Sequence, residues 1–244
     1  MIRIIAAAAL GLAAGAAQAE DVAYEVDGTA LEGYFAAAAE PKGLVVIVHD
    51  WDGVGDYERK RADMLAELGY DAFALDVYGA GVRPDTVDGR MAAMKAAFSD
   101  PGKLRALVLG GIEEAGRHSK TDDVVLIGYC FGGAVTLATA RAGAPVGVAG
   151  FATFHAGIPG GEATWPQDSP PVLILHGGAD KTPALADVAA FVAGMEASAV
   201  PYEIQVYSGA PHAFTVFGSE NYRERADQES WAALQRFLGE RLPG

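Results

Sequence analysis

The chain has 244 residues, a length that suits one domain built around a single core. Hydrophobic residues make up 51% of it, which supplies that core and argues against intrinsic disorder. A formal charge of −14 argues against a nucleic-acid ligand, because phosphates demand clustered Lys and Arg, and fits a soluble acidic surface.

In chain order, Met1-Ile2-Arg3 is a short cationic start, Ile4 to Ala16 is uncharged and apolar, and Ala17-Gln18-Ala19 has the small-x-small form that a signal peptidase accepts. The apolar run is short for a permanent membrane span. The expectation is a cleavable secretory signal over residues 1–19, a periplasmic mature domain over 20–244 that begins at Glu20, and no membrane association after cleavage. Loss of Arg3 takes the charge from −14 to −15. The chain holds one cysteine, so no internal disulfide can form.

Val22 to Val26 and Leu31 to Phe35 read as a leading pair of edge strands. Leu44 to Val48 is a continuous apolar run, as expected of a strand covered on both faces. Asp56 to Leu68 reads as a helix stopped by Gly69, Tyr70 to Asp76 as a strand, and Asp85 to Phe98 as a helix. Leu104, Leu107, Val108 and Ile112 mark an amphipathic helix. Asp123 to Gly128 is then a strand and Gly132 to Arg141 a helix; Val146 to Phe151 and Val172 to His176 are strands. Leu185 to Ala197 is a helix, Tyr202 to Tyr207 a strand, and Arg223 to Leu242 a closing helix. This alternation predicts an α/β fold with a mostly parallel central sheet of about eight strands and helices on both faces.

Gly128-Tyr129-Cys130-Phe131-Gly132-Gly133 falls between a strand and a helix, the setting of the nucleophile elbow of the α/β-hydrolase fold. Glycines two before and two after the nucleophile allow strand and helix to approach closely, lifting Cys130 over the C-terminal edge of the sheet. A thiol attacks as thiolate and needs a base. The chain order of such folds is nucleophile, acid, base, and here Asp180 lies beyond the strand ending at His176, while His212 follows the strand ending at Tyr207. His212 would take the thiol proton and Asp180 would orient the imidazole.

These motifs, with Val48-His49-Asp50-Trp51-Asp52-Gly53, Asp76-Val77-Tyr78-Gly79, Gly177-Gly178-Ala179-Asp180 and Pro211-His212-Ala213-Phe214, resemble the dienelactone hydrolase family, an α/β-hydrolase branch with a cysteine nucleophile. The resemblance runs over essentially the whole mature chain. It implies a hydrolase acting on an ester or lactone through a thioester. It implies that Asp50, where familiar members carry Glu, modulates the resting cysteine, and that the backbone N–H groups of Phe131 and Trp51 form the oxyanion hole. Members that act on dienelactone clamp a carboxylate with two arginines; Arg83 would be one, and Val216 stands where the second would fall. Tyr78 and His155 are candidate substrate-binding groups, and His49 a candidate pocket-lining one.

No metal is expected, since His155 and His176 show no ligand spacing, and no cofactor, since no dinucleotide fingerprint follows the first parallel strand. The expected partner is a small-molecule ester or lactone, and the expected state a monomer. Lactonase and general carboxylesterase remain open, as do a non-catalytic binding protein on the same scaffold and a redox sensor using Cys130.

Overall fold

The computed structural model describes residues 19–160 and 164–244. The signal expected over 1–19 therefore lies outside the described residues, apart from Ala19.

The chain forms β1 (Ala19–Val26), β2 (Thr29–Ala36), β3 (Leu44–Val48), α1 (Asp56–Glu67), β4 (Asp71–Leu75), α2 (Val87–Phe98) and α3 (Pro101–His118). It continues through β5 (Val124–Tyr129), α4 (Phe131–Arg141), β6 (Val148–Phe154), β7 (Val172–Gly177), α5 (Leu185–Ala197), β8 (Tyr202–Tyr207) and α6 (Glu224–Arg241). The eight strands make one sheet in the order β1-β2-β4-β3-β5-β6-β7-β8. β1 and β2 run antiparallel and occupy one edge, β2 meets β4 antiparallel, and every later pairing is parallel. The apolar run at Leu44–Val48 takes a central place with all five residues buried, because parallel strands are covered on both faces.

Side chains alternate along the strands and so build two cores. Leu44, Val46 and Val48 pack with Leu107 and Val108 of α3, Val135 and Leu137 of α4, and Val188 of α5. Val45 and Ile47 face the opposite way, toward Ala62 and Leu65 of α1 and Leu234 and Leu238 of α6. Each such aliphatic side chain contributes roughly 1.5–3 kcal/mol when fully buried. α2 stands apart: it packs on α3 and buries none of its own side chains.

One strand departs from the sequence expectation. β6 begins at Val148 and runs on to Phe154, rather than spanning Val146 to Phe151. Gly147 adopts φ +83 and closes a turn in which the Val148 N–H reaches the Pro145 carbonyl, leaving Val146 fully exposed. A β-branched residue raised the apparent strand propensity of a turn.

The parallel strands end together at the edge that carries the elbow. Here the chain permits no extra atoms. A Cβ at Gly128 would collide with the Gly132 carbonyl, and one at Gly132 with the carbonyls of Val48 and His49. Gly132→Ala is expected to cost about 1–3 kcal/mol and lower Tm by roughly 3–10 °C in thermal denaturation. Gly116→Ala, on α3 with open space around it, should be neutral or raise stability by up to about 1 kcal/mol. Equal melting temperatures for the two variants would refute the close-approach argument.

Candidate active site

Cys130 occupies the turn between β5 and α4 with φ 49 and ψ −108, a strained conformation for a residue with a Cβ. The turn is pinned from three sides. The Cys130 N–H donates to the Phe154 carbonyl, and its own carbonyl accepts from Ala134 N–H and Gly157 N–H. Its sulfur lies 3.0 Å from His212 Nε2. His212 Nδ1 is 2.8 Å from Asp180 Oδ2. A thiol, an imidazole and a carboxylate from three separate loops thus form one row, with the Nδ1 proton directed to Asp180 and Nε2 left to accept.

Asp180 is placed by the turn that follows β7. Its N–H donates to the Gly177 carbonyl, and its Oδ1 accepts from Thr182 N–H at 2.9 Å. Burial pushes its carboxyl up, but the hydrogen bonds from His212 and Thr182 outweigh this and hold it below the usual carboxylate range. Asp180 is therefore ionised wherever His212 must carry charge.

Asp50 lies on the other side of the sulfur. Burial is the main force that raises its carboxyl to about 6, with the Asp52 charge adding to it and the Trp51 N–H and the Cys130 thiol opposing it by hydrogen bonding. The effect is reciprocal. Cys130 is pushed well above the ordinary thiol range, first by burial and then by the Asp50 charge and hydrogen bond, so the resting sulfur is protonated.

The two expected oxyanion donors are in different states. The Phe131 N–H opens helix α4, where no intrahelical acceptor exists, and lowers the thiol pKa against the stronger effect of burial. The Trp51 N–H is taken: it donates to Asp50 Oδ1 at 2.5 Å. Only one donor is open while the Asp50 carboxylate stays in place.

Several partners of this loop carry no motif. Glu58, 1% exposed, accepts Asp50 N–H at 3.1 Å and Gly55 N–H at 2.9 Å. Burial raises it to about 7 against those two hydrogen bonds. Its one sequence signal is a Glu three residues after a helix N-cap, the second half of a capping box. His49 is buried and neutral: Nδ1–H donates to the Asp50 carbonyl at 2.6 Å and Nε2 accepts from Val77 N–H at 3.3 Å. Burial is the largest cause of its lowered pKa.

Arg83, expected to bind substrate, is engaged by the main chain. Its guanidinium donates to the carbonyls of Val54, Val82 and Glu32 at 2.6, 3.0 and 3.1 Å, and it does not line the large cavity beside Cys130. It ties the 52–55 loop to β2. Tyr78 and His155 do not line that cavity either. The Tyr78 hydroxyl donates to the Trp51 carbonyl at 3.2 Å, and its ring packs on His49 and Phe131. His155, fully buried, sits behind the triad with its ring centroid 5.2 Å from that of His212. Its Nε2 pairs with Thr215 Oγ1 at 2.8 Å, and Thr215 in turn pairs with Tyr57. Burial holds His155 neutral, so it adds no competing charge next to His212.

The cavity has a volume of about 1010 Å³. Trp51, Cys130, Phe131, Thr182 and His212 close one end, and Arg105 and Arg141 stand at the far end of α4. Among the described residues no group of three His, Cys, Asp or Glu side chains is arranged to hold a metal, and no helix is long and apolar enough to cross a membrane.

The arrangement of strand, elbow and facing imidazole defines an α/β-hydrolase. The chain belongs to the dienelactone hydrolase family, whose profile matches residues 31–242. It is 29% identical to a carboxymethylenebutenolidase of Rhodococcus opacus over 206 residues, 80% of this chain and 79% of that protein. Among solved structures, m3DLH superposes with a TM-score of 0.83 at 27% identity, covering 93% of this chain and all of that one. A dienelactone hydrolase-like promiscuous phosphotriesterase from metagenomic libraries superposes at 0.84 with 25% identity, covering 93% and 99%.

Because the Asp50 charge disfavours the thiolate, Asp50→Asn should lower the thiol pKa. The variant is expected to react with iodoacetamide at pH 7 about tenfold faster than wild type, equivalent to one pKa unit. Equal alkylation rates would remove Asp50 from any control of the thiol.

Proposed function

We propose that this protein hydrolyses esters or lactones through a Cys130-His212-Asp180 triad and a thioester intermediate. The observation that carries the reading is the pair of contacts at 3.0 Å and 2.8 Å joining sulfur, imidazole and carboxylate. Family membership and the carboxymethylenebutenolidase relative support the same bond class.

In this mechanism the thiol proton passes to His212 Nε2 as Cys130 attacks the substrate carbonyl. Asp180 stabilises the resulting imidazolium through its Nδ1–H. The oxyanion accepts from Phe131 N–H at once, and from Trp51 N–H after the Asp50 carboxylate releases it. Preorganised donors of this kind are worth on the order of 10²–10³ in rate each. His212 then protonates the departing alkoxide, and the thioester forms as the carbon–oxygen bond breaks. A water gives a proton to His212 Nε2 and attacks the thioester carbonyl; the proton returns to the sulfur as the acid leaves.

The reading also includes export of the chain under direction of residues 1–19, action as a monomer outside the cytoplasm, and no cofactor. Export is tested by fractionating cells that express the chain with and without residues 1–19. Recovery of both forms in the cytoplasm would overturn it.

For the chemistry, Cys130→Ala is expected to lose at least about 10³ in kcat/KM on p-nitrophenyl acetate, with its circular dichroism unchanged. Asp180→Asn should lose about 10²–10⁴ by presenting the wrong imidazole tautomer. Quenched wild-type reactions should carry an acyl mass increment on the peptide containing Cys130. Wild-type turnover by folded Cys130→Ala would sink the mechanism.

A further inference from the structure

The cavity is far larger than a reacting ester group needs, and its walls are built from the wrong side chains for a small anion. One wall is a face of α4. Phe131, Ala134, Val135 and Ala138 recur at helical spacing, with alanines keeping the floor low. The facing wall is α2, which brings Met91, Met94 and Phe98 to the cavity. Helix α2 contributes no buried residue to any core, and Met91 and Phe98 are 54% and 43% exposed. Ile158 and Pro159 complete the enclosure. Exposed apolar side chains concentrated around a concavity mark a place that an apolar group fills.

Charge argues in the same direction. The two arginines at the far end donate to main-chain carbonyls. Arg105 holds those of Thr139 and Gly143, at 3.2 and 2.8 Å, and Arg141 holds those of Pro159 and Gly160. Arg83 is likewise spent on carbonyls. Near the sulfur stand Asp50 and Asp52, and the whole chain carries −14. The donors of Arg105 and Arg141 are thus engaged by the main chain, and Asp50 stands buried behind the sulfur, so no arginine fork is left free at the reacting end to clamp a carboxylate.

We infer that the substrate class is an uncharged ester with an extended apolar chain that lies along α4 between Ala134, Ala138 and the methionines of α2. The trough follows the eleven residues of α4 from Phe131 to Arg141, about 16 Å at 1.5 Å per residue. That length holds a medium acyl or alkyl chain with its ester at Cys130. The inference rests on the hydrolase reading above and narrows it.

The test is a chain-length series on the full protein below micellar concentration. One arm uses p-nitrophenyl acetate, butyrate, hexanoate and octanoate, which extend the acyl side. The other uses ethyl, butyl and octyl acetates, which extend the alcohol side. In one arm kcat/KM is expected to rise at least tenfold from shortest to longest, since each buried methylene is worth up to about fourfold. The arm that rises assigns the chain to acyl or alkoxy. Ala138→Trp should reduce the long-to-short ratio at least fivefold by filling the trough. Met91→Glu, at a position that is 54% exposed, should reduce it through charge, with circular dichroism confirming that the fold is kept. A flat or falling profile in both arms, with turnover still dependent on Cys130, overturns the apolar-chain inference while leaving the hydrolase reading intact. Loss of Cys130 dependence overturns the hydrolase reading instead.

Discussion

The site depends on how closely the elbow abuts the end of β3. Gly128 and Gly132 face backbone carbonyls with no room for a Cβ, and the turn they permit forces Cys130 to φ 49. That contact also sets the position of the 49–55 loop, because Val48 and His49 are the residues Gly132 touches. Nucleophile, Phe131 amide, Trp51 amide and Asp50 carboxyl are therefore located by a single packing constraint. Backbone strain at such a position persists only when the surroundings over-determine it. Here the hydrogen bonds to Phe154, Ala134 and Gly157 supply that surplus. His155 and Ala213, at φ 40 and 60, show similar strain at the neighbouring strand end and beside the imidazole.

Two carboxyls flank the sulfur row and their environments drive them apart. Asp180 receives hydrogen bonds from His212 and Thr182 and lies below the normal carboxylate range despite burial. Asp50 is raised to about 6, chiefly by burial and further by the Asp52 charge. One is a fixed anion that supports imidazolium, while the other titrates near neutrality and competes for the thiol proton and the Trp51 N–H. Divergent pKa values within one site separate roles among identical side chains. From one position the Asp50 carboxylate disfavours the Cys130 thiolate, adding to burial, and occupies the Trp51 N–H.

The hydrogen-bonded row of Cys130, His212 and Asp180 was legible in the sequence because each member sits in a local pattern that reports its backbone. Gly-x-Cys-x-Gly requires a turn, and Asp180 and His212 follow strands whose apolar runs are unmistakable. The parallel core was legible for the same reason, since Leu44–Val48 and Val172–His176 are too continuously apolar to be anything but doubly covered. What escaped notice is held by groups that meet only after folding. Arg83 bears the right charge near the right motif, but its direction is set by the carbonyls of Val54 and Glu32, one a loop away and the other across the sheet. Glu58 and Thr215 act through main-chain and hydroxyl contacts that leave little trace in residue spacing. His155 was correctly placed at a strand end, but that end turns it behind His212 rather than into the cavity.

Helix α2 shows why substrate preference is harder to read than reaction type. An amphipathic helix announces its buried face by a periodic apolar stripe, and α3 does so through Leu104, Leu107, Val108 and Ile112. In α2 the apolar residues have no sheet to face; Met91, Met94 and Phe98 look across the cavity at α4. Phe98 meets Phe131 edge-on at 5.1 Å and Met94 packs on the core, but no α2 residue is buried, so the helix looks like a poorly patterned surface segment. The chemistry is encoded where the sheet fixes geometry, and recognition where the chain leaves apolar surface unsatisfied. Sites grafted onto a common fold diverge most readily in such segments, and Met91 and Met94 line the cavity from outside the sheet that fixes the elbow.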